Sequence, residues 1–99
     1  MHEMGIASSV LEAVHKELHL YPGYRAAKVG LRIGEHAGVD TESLRFCFEA
    51  LVKGTELEPL ELVIEWCSAQ DGRRPGGKFR GDELDLAYLE LEDVKEVAA

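Results

Sequence analysis

An α+β domain is the fold this sequence predicts: two amphipathic helices on one face of a three-stranded sheet, in the order α-β-α-β-β. Three observations predict it. Two stretches, about 4–19 and 41–53, repeat apolar residues every three or four positions, the helical period. Three others, 25–34, 60–67 and 83–92, alternate apolar and polar residues, the strand period. Neither kind of element can hide its apolar face alone, so the two must pack as layers. The chain has 99 residues, 45% hydrophobic and 30% charged, which fits one globular domain over 1–99. A chain of this length can bury roughly 60–70% of its unfolded surface without staples.

The first helix carries Ile6, Val10, Leu11, Val14 and Leu18 on its apolar stripe, with Glu12, Lys16 and Glu17 off it. Leu20-Tyr21-Pro22-Gly23 ends it, because proline cannot continue the hydrogen-bond ladder and glycine accepts turn geometry. In the first strand Ala27, Val29, Leu31 and Ile33 oppose Lys28, Gly30 and Arg32. Residues 34–39 form a turn. Asp40 or Thr41 can cap the second helix, since either side chain can accept from an unpaired first-turn amide. Its stripe is Leu44, Cys47, Phe48 and Leu51, and Gly54 stops it. Leu62, Ile64 and Trp66 set the phase of the second strand. Residues 68–82 are loop, broken by Asp71-Gly72 and Pro75-Gly76-Gly77. In the last strand Leu84 and Leu86 are in step, but Leu89 and Leu91 are one position out. A bulge near Ala87-Tyr88 would return all four to one face.

Composition excludes several functions. No apolar run approaches 18 residues, so no membrane span is expected. Glu3 and Glu12 stand where a secretory signal needs a basic segment. The two cysteines, Cys47 and Cys67, form neither a CxxC pair nor a disulfide framework, which fits free thiols in a reducing cytoplasm. A net charge of -8 argues against nucleic acid, whose phosphates need a basic face. Such a surface serves solubility and tolerates cations or basic protein patches. No Ser/His/Asp set, phosphate loop or paired-carboxylate motif is present, so no catalytic residue is expected.

The chemistry concentrates in Met1-His2-Glu3. A free terminal amine and the His2 amide nitrogen close a five-membered chelate ring. The His2 imidazole and that same amide close a six-membered one. The Glu3 amide or carboxylate can supply a fourth donor. Nitrogen-rich tetragonal sites of this kind suit Ni(II) or Cu(II). The bland alternative is an incidental histidine beside the initiator methionine.

The segments MHEMGIASSVLEAV, KVGLRIGEHAGVD, LRFCFEALVKGT, LELVIE and GDELDLAYLELE together closely resemble the HypA-type nickel-insertion proteins of hydrogenase maturation. The similarity runs over nearly the whole chain. The MHE start, the strand ending in IGE and the FEALVKGT helix end are specific in combination. The resemblance implies a Ni(II) site at Met1, His2 and Glu3, with delivery of nickel to a nickel-iron hydrogenase. It also implies two partners, a nickel-loading GTPase and the hydrogenase large subunit. Family members carry a zinc ribbon of the CxxC…CxxC type between the last two strands. Here loop 68–82 stands in its place, and Cys67 alone cannot build a tetrahedral sulfur site. No zinc is expected.

Four further groups have two readings each. Asp40 and His36 are auxiliary ligands or groups that orient His2, or else a helix cap and a solvated turn residue. Arg73, Arg74, Lys78 and Arg80, with Phe79 among them, form a docking patch for an acidic partner or a charged linker. Cys47, on a helix stripe, reads as a buried thiol; Cys67, at a strand end beside the loop, is the one open to exposure. His15 and His19, four apart on the first helix, form a metal-binding pair or a solvated face. The alternative for the whole chain is a metal-free protein-interaction module, self-associating as a homo-oligomer through an open sheet edge.

Overall fold

The computed structural model describes residues 2–68 and 84–94. The elements are α1 (Glu3–Leu18), β1 (Tyr24–Gly34), α2 (Thr41–Val52), β2 (Glu61–Cys67) and β3 (Leu84–Asp93). The α-β-α-β-β order and the α+β class are those the residue periods predict. Met1, the basic run from Arg73 to Arg80 and most of the loop expected at 68–82 lie outside the described residues.

The sheet order is β2-β1-β3. β1 pairs in parallel with β2 and antiparallel with β3. A parallel neighbour requires a crossover, and α2 supplies it. The core fills the space between helices and sheet. Ala7, Val10, Leu11 and Val14 of α1 meet Val29, Leu31 and Ile33 of β1 and Leu44, Phe48 and Val52 of α2. The opposite face of β1 carries Arg32, which bonds Asp85 on β3 at 3.1 Å and lies 3.8 Å from Glu65 on β2. This polar ladder across three strands marks the solvent side.

The bulge forms where the phase slip required it. Gly30 opposes Tyr88 while Leu31 opposes Leu86, so Ala87 is the extra residue. Leu86 thereby joins the helix side with Leu89. A second slip, between Ala26 and Lys28, leaves Ala27 over on β1. It moves Ala26 onto the buried face, where alternation had placed Ala27.

Three burial expectations are corrected. On α2 the buried line is Leu44, Phe48 and Val52. This i, i+4, i+8 row faces the sheet, while Cys47 flanks it half-buried and Leu51 turns outward at 36% exposure. Trp66 keeps the phase of Leu62 but is 55% exposed; it stands one residue from the end of the edge strand β2. Cys67 is buried rather than open, and the Glu35 amide in the turn after β1 donates to its carbonyl at 2.9 Å.

Asp40, not Thr41, caps α2. Its Oδ1 accepts from the amides of Glu42 at 3.1 Å and Ser43 at 3.2 Å. Asp40→Ala is expected to lower stability by about 1 kcal/mol, read from the midpoint of urea unfolding. Asp40→Asn should keep most of that stability, since its amide oxygen still accepts.

Candidate metal centre

His2 is the N-cap of α1. Its backbone is extended (φ -90, ψ 92) and its side chain makes no capping bond. The first helical bond runs from the Ile6 amide to the His2 carbonyl at 3.1 Å. A helix that starts at Glu3 leaves the amides of its first turn without intrahelical acceptors. The His2 and Glu3 nitrogens can therefore lose their protons to a metal without breaking a helix bond. The His2 side chain is exposed, so the imidazole can swing to the same ion.

The helix end also constrains charge. A helix N-terminus carries a partial positive charge that disfavours a bare cation. A deprotonated His2 amide would offset part of the charge of a divalent ion, and a carboxylate in the fourth position would neutralise the rest.

The Glu3 carboxylate has another partner. Its Oε2 accepts from the Asp40 backbone amide at 3.2 Å. The start of α1 is thus tied to the start of α2, with both carboxylates set against positive helix ends. The structure brings Glu3 to the Asp40 backbone. The Asp40 side chain, however, bonds its own helix. His36 lies in the turn between β1 and α2 with its side chain 65% exposed, 3.7 Å from the Glu35 carboxylate. Among the described residues no three His, Cys, Asp or Glu side chains are gathered to hold a metal. The Met1 amine falls outside that set.

A cleft of about 540 Å³ opens between α1 and β3, and His2 lines it. Ile6 and Val10 form one wall, Leu84 and Leu86 the other. Sequence reasoning missed this cleft. The available signal was the run of small residues Gly5, Ser9 and Ala13 at four-residue spacing, which lowers the helix wall facing β3.

The class of this α+β domain, which begins its first helix at Glu3, comes from comparison with known proteins. Residues 1–71 match the family model described as hydrogenase/urease nickel incorporation, metallochaperone, HypA, and the chain belongs to the HypA family. It is similar to the hydrogenase maturation factor HypA of Chlorobaculum tepidum, with 49% identity over 65 residues, 66% of this chain and 58% of that protein. The Chlorobium limicola factor of the same name is 46% identical over 69 residues, 70% of this chain and 60% of that protein. That of Methylocella silvestris is 31% identical over 113 aligned positions, covering 93% of this chain and all of the relative. The chain thus spans about three fifths of the first two relatives. Among the described residues no helix is long and apolar enough to cross a membrane.

Proposed function

We propose that this chain is a cytoplasmic Ni(II) carrier for the maturation of a nickel enzyme, a nickel-iron hydrogenase in the first place. The observation that carries the reading is the start of α1 at Glu3, which leaves the His2 amide without a helix bond and free to join the terminal amine and the His2 imidazole around one ion, with the fourth position open to the Glu3 carboxylate or to water. A carrier gains from such a place. An open site at a chain end can exchange its ion with a client, whereas four ligands in a buried cage would retain it. The chain itself supplies no chemistry beyond binding and release.

The partners we assign are a nickel-loading GTPase and the hydrogenase large subunit, which the family description of nickel incorporation supports. Zinc is not part of the proposal. The whole sequence holds two cysteines, Cys47 and Cys67, too few for a ribbon. The Methylocella silvestris alignment has more positions than this chain has residues, so that relative carries residues without a counterpart here. A lost ribbon within a single nickel-binding domain over 1–99 accounts for both facts.

The test is absorption spectroscopy during Ni(II) titration. Native protein is expected to develop the yellow band of a planar nitrogen site at one equivalent, and His2→Ala to lack it. If the two proteins give the same spectrum, nickel is not held by His2, and the metal-free interaction module becomes the better reading.

A further inference from the structure

We propose that His15 and His19 form a second divalent-metal site at the opposite end of α1, independent of the amino terminus. The backbone fixes the pair. His19 is the C-cap of α1 with helical angles (φ -63, ψ -24), and its amide donates to the His15 carbonyl at 3.3 Å. The helix geometry therefore continues through both residues, and their side chains leave one face one turn apart. At that spacing the Cβ atoms are about 5–6 Å apart, a separation two imidazoles can close on one ion, as histidine pairs on helices do.

Two surroundings favour a cation there. The C-terminal end of a helix carries the negative pole of its dipole, the reverse of the situation at His2. A carboxylate also approaches from a second element: Glu56, in the turn after α2, places Oε1 4.0 Å from His15 Nε2, with the side chains 48% and 78% exposed. Both histidines are exposed, so binding requires no burial of charge.

The ligand class follows from the donors. Imidazole suits Ni(II), Cu(II) and Zn(II) rather than Mg(II) or Ca(II). Glu56, at 4.0 Å from His15, stands beyond coordination distance, and no three His, Cys, Asp or Glu side chains are gathered to hold a metal among the described residues, so water completes the coordination and the ion exchanges readily. At 1.5 Å per residue the pair is about 20 Å from His2 along the helix, too far to share its ion. The chain would then carry two ions, one at each end of α1.

The test uses the full chain with one residue added before Met1, which removes the amino-terminal chelate and keeps the two sites separable. Zn(II) is the diamagnetic probe. The sequence has four histidines, so imidazole NMR resolves each ring. The His15 and His19 rings are expected to shift together on zinc addition, while His36 stays in place. His15→Ala should weaken the shift at His19 by about tenfold or more in zinc concentration. Its fold is checked by circular dichroism, since alanine at an exposed helix position favours the helix. The proposal is overturned if the His15 and His19 rings stay unmoved at excess zinc, or if His19 responds equally in the His15→Ala protein.

Discussion

Gly30→Ala is expected to destabilise the fold by about 1–3 kcal/mol, the usual range for forcing an extra carbon into a filled space. Gly30 sits in the central strand with its Cα opposite Tyr88. A Cβ built there would run into the Tyr88 ring, its nearest neighbour on every count. The ring occupies the space beside the glycine, an arrangement in which an aromatic covers a site that has no side chain of its own. The same change in a Tyr88→Ala background should be neutral or stabilising. There the space is vacant, and alanine restricts the unfolded chain more than glycine does. Urea unfolding of the four proteins of this cycle gives the coupling directly. An equal loss in both backgrounds would show that the strand, not the ring, rejects the Cβ.

The contact was not legible in the sequence, although the bulge beside it was. Leu84 and Leu86 are out of phase with Leu89 and Leu91, and a bulge near Ala87-Tyr88 returns all four to one face; the structure puts the extra residue at Ala87. Phase is a local property, so one strand suffices to reveal it. The Gly30–Tyr88 pairing instead depends on the register of two strands more than fifty residues apart, which no period within either strand encodes. The same distinction explains Trp66 and Cys67. Alternation assigns a residue to a face, but exposure depends on what else reaches that face: Trp66 stands near the end of an edge strand, and Cys67 lies where β2 is bonded to the turn at Glu35. On α2 the error was one of drift. Cys47 and Leu51 lie beside the true contact line of Leu44, Phe48 and Val52, and a 3.6-residue period leaves neighbouring rows equally apolar until the partner surface is known.

The candidate centre was legible in its donors and not in its surroundings. Met1-His2-Glu3 is contiguous, so its chelate rings follow from covalent geometry alone. What the fold adds is the Glu3 carboxylate's bond to the Asp40 amide, a contact between residues 37 apart in sequence. It bears on what would fill the fourth position. In a planar site the amine and the imidazole would take both places beside the His2 nitrogen, and the Glu3 amide nitrogen can chelate only there; the Glu3 carboxylate would reach the fourth place by leaving its bond to the Asp40 amide, and otherwise water would fill it.

Addition of a single residue before Met1 is therefore expected to abolish the yellow nickel band completely, the largest effect foreseen for this chain. The insertion turns the primary amine into a peptide nitrogen and moves His2 one place along, so the five- and six-membered rings can no longer share the His2 amide with a terminal amine. Glu3→Ala should retain the band, because the amine, the His2 amide and the imidazole remain and water can take the fourth position. Proton release tests the chelate independently. A complex built on the His2 amide displaces one backbone proton, which calorimetry in buffers of different ionisation enthalpy counts, since metal binding and proton loss are linked. A band that survives the extension would place the nickel elsewhere on the chain. A band lost in Glu3→Ala, with one backbone proton released by the native protein, would make the carboxylate the ligand and the Asp40 contact a resting position from which it swings to the metal.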